Sequence, residues 1–146
     1  MRPVFLVGTS HRYQVGPNGI IPVDVTAEEF SKFRDFLKTV VKRHNIRGIA
    51  EEMSLYALRK RQHVRHGGSL PFELAAEIRL PHRYCDPATV MPNSQREEYW
   101  IIELMGFNTF PALFILGASH VESFFSLLEG REFQPCIVER NWQPNK

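Results

Sequence analysis

Two short apolar runs in this chain each lead into a Gly-x-x-His sequence. Val4-Phe5-Leu6-Val7 runs into Gly8-Thr9-Ser10-His11, and Leu113-Phe114-Ile115-Leu116 runs into Gly117-Ala118-Ser119-His120. Runs this short, apolar at every position and flanked by turn residues, read as strands buried on both faces of a parallel sheet. The glycine lets the chain turn sharply off the strand end, and the histidine follows about one turn later. Open α/β sheets collect ligands outside the carboxyl ends of their strands. Two strands that each deliver a histidine to that edge therefore specify a site as well as a fold.

The stretches between these runs are consistent with such a sheet. After a first strand at Pro3 to Val7, Arg12 to Val25 reads as a loop with Gly16-Pro17-Asn18-Gly19 as its turn. Thr26 reads as a helix cap, with Glu29 at the capping-box position. Phe30, Phe33, Phe36, Leu37, Val40 and Val41 then recur at helical spacing, and His44-Asn45 closes the helix. Ile46 to Ala50 is a second strand, ending in Glu51-Glu52. Helices follow at Ser54 to Gln62 and Pro71 to Leu80, with a loop between them, and Arg83 to Asp86 reads as a short third strand or an ordered loop. A helix over Arg96 to Met105, the second Gly-x-x-His strand, a helix over Val121 to Glu129 and a last strand over Gln134 to Val138 complete the series. This alternation predicts a three-layer α/β fold with a mainly parallel sheet of four or five strands and helices on both faces. The 146 residues suit a single domain over 1–146, with 140–146 as a loose polar tail.

At the strand ends stand His11, Glu51, Glu52 and His120, joined by His82, Arg83, Cys85 and Asp86 from the third segment. Imidazole and carboxylate donors suit Zn, Mn, Fe or Co, with His11, Glu51, His120 and Asp86 as candidate metal ligands. Water bound to such a metal becomes a nucleophile near neutral pH, with the other carboxylate as base. Without a metal, the same groups form a His/Glu acid–base pair. Either way, Glu51 or Glu52 does the chemistry and Arg83 or Arg59 orients an anionic substrate group. Each residue also has a plain structural reading. The histidines suit capping or packing roles, the glutamates suit a following helix N-terminus, and Asp86 before Pro87 suits a turn.

Composition narrows the classes. A net charge of +2 from 18 basic and 16 acidic side chains does not favour nucleic acid as the partner. The basic run from Arg59 to His66 reads first as a solvated face, because it lacks interleaved aromatics. No Gly-rich phosphate loop and no Gly-x-Ser-x-Gly elbow is present. Two distant cysteines and the lack of a leader or a long apolar span point to a cytoplasmic protein away from the membrane. Tyr99-Trp100 and Phe124-Phe125 offer more aromatic surface than one face buries, which suggests a homodimer or an apolar pocket.

Gly8-Thr9-Ser10-His11, Glu51-Glu52 and Gly117-Ala118-Ser119-His120, in that order, resemble the motifs of the TIKI/TraB/GumN metal-dependent hydrolases and their ChaN-like and erythromycin-esterase-like relatives. The resemblance implies an α/β domain with a hydrolytic, metal-dependent site at the strand ends. It carries His11, Glu51 or Glu52, and His120 over as site residues, and it implies an arginine downstream of the glutamates. The function expected is hydrolysis of a small ester or amide bond in a small-molecule substrate. The alternative is a non-catalytic module whose pocket binds haem, a nucleotide-like anion or a partner protein.

Overall fold

A computed structural model describes residues 2–16, 24–61 and 68–145, the side chains of residues 59–61 excepted. In chain order the elements are β1 (Arg2–Thr9), α1 (His11–Val15), α2 (Ala27–Arg43), β2 (Gly48–Glu51), α3 (Leu55–Arg61), α4 (Leu70–Ile78), β3 (His82–Tyr84), α5 (Asn93–Phe107), β4 (Ala112–Gly117), a 3-10 turn (Ala118–His120), α6 (Val121–Glu129) and β5 (Phe133–Trp142). The five strands form one parallel sheet in the order β3-β2-β4-β1-β5. This is the expected three-layer α/β architecture.

The apolar pattern divides cleanly between the two faces. On one face Phe30, Phe33 and Leu37 of α2 and Leu70 and Leu74 of α4 pack with Val7, Ile49, Leu113 and Ile115. On the other, Trp100 and Leu104 of α5 and Phe124 and Leu128 of α6 pack with Leu6, Ala50, Phe114 and Leu116. Every residue of β4 is buried, as an uninterrupted apolar run requires. The chain crosses from β1 to β2 to β3 over the first face, then returns to β4 and β5 over the second. All the crossovers therefore share one hand, as βαβ connections do. Connections leave the adjacent strands β1 and β4 towards opposite faces, which opens a crevice at their carboxyl ends.

Local chemistry fixes the element ends. Thr26 accepts from the Glu29 N–H at 3.1 Å while the Glu29 carboxylate accepts from the Thr26 N–H at 2.9 Å, completing the capping box that starts α2. Ser69 caps α4 by accepting from the Phe72 N–H at 3.2 Å, with Pro71 in the first turn.

Several expectations are corrected. The loop placed over Arg12 to Val25 begins with a five-residue helix, α1, too short for periodicity to reveal but anchored by buried Tyr13 and Val15. The rest of its proposed turn, Pro17-Asn18-Gly19, lies outside the described residues, as do residues 62–66 of the basic run. The tail placed at 140–146 is not loose from its start, because β5 continues to Trp142. The Thr9 hydroxyl donates to the Trp142 carbonyl at 3.1 Å, and the buried indole packs 4.8 Å from the Phe33 ring. Polar residues precede Trp142 because β5 is an edge strand with one rim in solvent. The glycines of the two motifs serve space rather than turning. Gly117 has an extended φ of −61°, and a Cβ on Gly8 would meet the Arg140 carbonyl oxygen at 2.2 Å. Trp100 and Phe124 are fully buried, and Tyr99 and Phe125 are partly buried against the same core. Among the described residues, no helix is long and apolar enough to cross a membrane.

Candidate functional site

Glu52 is the hub of the strand-end crevice. It directly follows β2 and its side chain is 2 % exposed. One carboxylate oxygen, Oε1, accepts from the Gly117 N–H at 2.8 Å. A Cβ at residue 117 would stand 3.1 Å from His11 Nε2 and 3.3 Å from that same oxygen, so glycine keeps β4 close to the site. The other oxygen, Oε2, faces His11 Nε2 at 3.4 Å, His120 Nε2 at 3.7 Å and Arg96 Nη2 at 2.5 Å. Both histidines of the sequence motifs thus converge on one carboxylate.

Each imidazole is oriented through its other nitrogen. His120 Nδ1 lies 2.8 Å from the buried Glu97 carboxylate, which also accepts from the Ser123 hydroxyl at 2.6 Å. His11 Nδ1 lies 2.7 Å from the Gln14 amide oxygen, one turn along α1. His120 is buried behind Glu52, whereas the His11 side chain is 49 % exposed and lines the cleft. Arg96 is held independently of Glu52. Its Nη2 and Nε donate to Asp86 Oδ1 at 3.0 and 3.2 Å, the guanidinium lies over the Trp100 ring, and Trp100 Nε1 donates to the same Asp86 oxygen at 2.9 Å.

The charges shift accordingly. Burial disfavours a charged His11, but the bond and charge of Glu52 outweigh it and raise the imidazole above its ordinary value of 6.5. Burial likewise opposes charge on Glu52, yet His11, the Gly117 N–H and His120 together hold its carboxyl below 4.5.

Glu51, one residue away, points into a sealed cluster. It is fully buried, and it accepts from Gln14 Nε2 at 3.0 Å through Oε1. Its Oε2 accepts from the Ser69 hydroxyl at 2.5 Å and meets His82 Nε2 at 2.5 Å. Beside it, burial and then the charge of Glu51 push the Tyr84 hydroxyl up to about 12.

The expected residues therefore separate. His11, Glu52 and His120 come together, with Asp86 joined to them through Arg96. Glu51 and His82 stand behind, facing away from solvent. Arg83 turns to Glu103 at 2.7 Å, apart from this cluster. Cys85 is buried, with burial pushing its thiol up, which removes it as a nucleophile. Arg59 is carried on α3, with its side chain outside the described residues. Sequence reasoning missed Gln14, Ser69, Arg96 and Glu97. Ser69 is the N-cap of α4, and Gln14, Arg96 and Glu97 lie within the first five residues of α1 and α5, so a search of helix starts as well as strand ends finds them.

Two hollows meet at this site. A cleft of about 280 Å³ is lined by His11, Val15, Glu52, Met53, Asp86 and Arg96. It shares Ser54, Ala57, Asp86 and Arg96 with a second hollow of about 190 Å³ that runs past Tyr56, Val90 and Met91.

The residues suit a divalent cation in kind. Holding the Nδ1 atoms through Gln14 and Glu97 directs the Nε2 atoms inward, as hydrogen-bond partners behind metal-binding histidines do. Among the described residues, no group of three His, Cys, Asp or Glu side chains is already assembled to hold a metal ion. Arg96 donates to the shared Glu52 oxygen and, at the same time, to Asp86. Compared with protein-family models, curated proteins and solved structures, the chain matches none.

Proposed function

We propose that this protein is a hydrolase that cleaves a small ester or amide bond in the cleft at the ends of β1, β2 and β4, with His11, Glu52 and His120 holding a divalent cation (Mn, Zn, Fe or Co). The observation that carries this reading is the convergence of two oriented imidazoles on one buried carboxylate at the mouth of a substrate-sized cleft. The order of the motifs, which resembles the TIKI/TraB/GumN hydrolases, supports it too. When bound, such a cation supplies Lewis acidity towards a carbonyl oxygen and an attacking water.

The chain's own groups supply the rest. Arg96, seated on Asp86 and Trp100, presents its guanidinium to the cleft and binds an anionic substrate group or developing oxyanion. His11, the more exposed imidazole, faces the cleft and would hold the cation through Nε2, its Nδ1 being engaged by Gln14. His120, shielded from solvent and braced by Glu97, fixes the back of the site. Val15, Met53 and Ala57 give the cleft an apolar wall that excludes water from the reacting bond. Two free cysteines, one buried and one exposed, suit the reducing cytoplasm.

The test is metal analysis of protein purified without chelator or nickel affinity, followed by Mn, Zn and Co titration of the wild type and of His11→Ala/His120→Ala. Hydrolysis of nitrophenyl esters and anilides is assayed on the same samples. Near-stoichiometric metal lost in the folded variant, with metal-dependent hydrolysis, supports the proposal. Hydrolysis without metal leaves a His/Glu acid–base enzyme. No metal binding and no hydrolysis reject an enzyme in favour of a ligand-binding module.

A further inference from the structure

We propose that Gln14 is the positioning residue of this site: it carries the fixed orientation of the sealed Glu51 cluster to His11 and so sets which imidazole nitrogen carries the proton. The inference rests on the functional reading only in taking His11 Nε2 as the working atom.

The argument is one of donors and acceptors. The Glu51 carboxylate oxygens only accept. Ser69 and His82 occupy Oε2, and Ser69 Oγ is itself tied to the Phe72 N–H. Oε1 is left for Gln14, which must therefore present its NH₂ group to Glu51, at 3.0 Å. A second contact, from the same nitrogen to the Glu52 carbonyl at 3.4 Å, holds the amide in that sense. The Gln14 carbonyl oxygen is then aimed at His11 Nδ1, 2.7 Å away, and that nitrogen must carry the proton. Glu52 competes for the ring proton from the other side, but across 3.4 Å. A bare Nδ1 would set its lone pair against the Gln14 oxygen at 2.7 Å, a closer repulsion than that of a bare Nε2 with Glu52 across 3.4 Å. The neutral ring is thus held with Nδ1–H towards Gln14 and an Nε2 lone pair towards Glu52, the form that can bind a cation or accept a proton.

Glu51 therefore acts on the site without facing it. Replacing it by its neutral isostere reverses the relay. In Glu51→Gln, Ser69 and His82 retain the oxygen of the new amide and its NH₂ group turns to Gln14. The Gln14 amide rotates to offer its oxygen, its NH₂ group then faces His11 Nδ1, and the proton moves to Nε2.

The experiment is long-range ¹H–¹⁵N NMR of the imidazoles in metal-free protein, at a pH where His11 is neutral, with His11→Asn to assign the signals. The wild type is expected in the Nδ1–H form. Gln14→Met, of similar length but without an acceptor, and Glu51→Gln are each expected to make Nε2–H the major form. Native-like amide spectra serve as the control for folding. A wild-type His11 in the Nε2–H form overturns the proposal without any variant. So does an unchanged tautomer in whichever variant folds. These outcomes are independent of metal titration and hydrolysis, so the relay and the hydrolase reading fail separately.

Discussion

Glu51 and Glu52 are neighbours in sequence and opposites in surroundings. Strand geometry sends successive side chains to opposite faces, and here that alternation separates a sealed cluster from an open one. Glu51 is enclosed with Gln14, Ser69 and His82 beneath the first-face helices. Glu52 looks into the crevice, with His11, His120 and Arg96 around one oxygen. The sealed cluster has every donor matched and no access, which suits holding a shape. The open cluster gathers three cationic or metal-binding groups on one carboxylate beside a cleft, which suits chemistry. An acidic pair at a strand end therefore carries two roles, and the face decides which residue takes which.

The sharpest way to break the comparison is to remove each carboxylate in turn. Glu51→Leu strands the donors of Ser69, His82 and Gln14 in the interior. It is expected to cost about 3–5 kcal/mol of stability, read from urea unfolding. Glu52→Gln keeps shape and acceptor, so its expected cost is about 1 kcal/mol or less, but divalent-metal affinity should fall by roughly 100-fold or more by titration calorimetry. Equal stability losses in the two variants would mean that the clusters do not differ as described.

A smaller effect separates direct from indirect roles. Glu97→Gln leaves every proposed ligand in place and weakens only the charge behind His120. Metal affinity should drop by about 10- to 100-fold, with the fold intact by circular dichroism.

Acid provides a graded version of the same contrast. His11 must lose its proton to bind a cation, and its pKa lies above 6.5. Metal affinity should therefore fall by up to about tenfold per pH unit below that raised value, giving a midpoint above 6.5 in a pH series of titrations. Stability of the metal-free protein follows a different course. The contribution of His11 is fully present below 6.5 and is lost as pH rises through its raised pKa. That of Glu52 is present above 4.5 and is lost as pH falls through its lowered pKa. The pair is at full strength between those two values, so thermal melts should show its contribution shrinking on either side.

How much of this was legible follows from where each signal sits. The all-apolar run of β4 and the capping box of α2 are local, and they point to a buried parallel strand and a helix start without tertiary knowledge. The two Gly-x-x-His motifs locate the ligand edge because both histidines lie within one turn of a strand end. Assigning Glu51 and Glu52 to different faces required the register of β2 against β3 and β4, which no single segment encodes. Arg96 reaches Glu52 across 44 positions of sequence, from a helix on the opposite layer. Trp142 was hidden behind polar residues because an edge strand alternates with solvent on one rim. Position in the sheet, rather than composition, decides each of these.

The smallest prediction concerns a residue that sequence reasoning put forward for substrate binding. Arg83 lies on the edge strand β3, its side chain is 39 % exposed, and its guanidinium bonds Glu103 on α5. A partly solvated pair of this kind contributes about 0–1 kcal/mol, and Arg83 does not contact the Glu52 cluster. Arg83→Ala should therefore unfold within about 1 kcal/mol of the wild type in urea. It should also leave metal affinity and hydrolysis unchanged within error. Arg96→Ala, by contrast, frees Asp86 and one face of Glu52 together, so its losses should appear in substrate turnover. If Arg83→Ala proved the more damaging of the two in turnover, the working arginine would lie on β3, and the open cluster would extend further across the sheet edge than the bonds around Glu52 indicate.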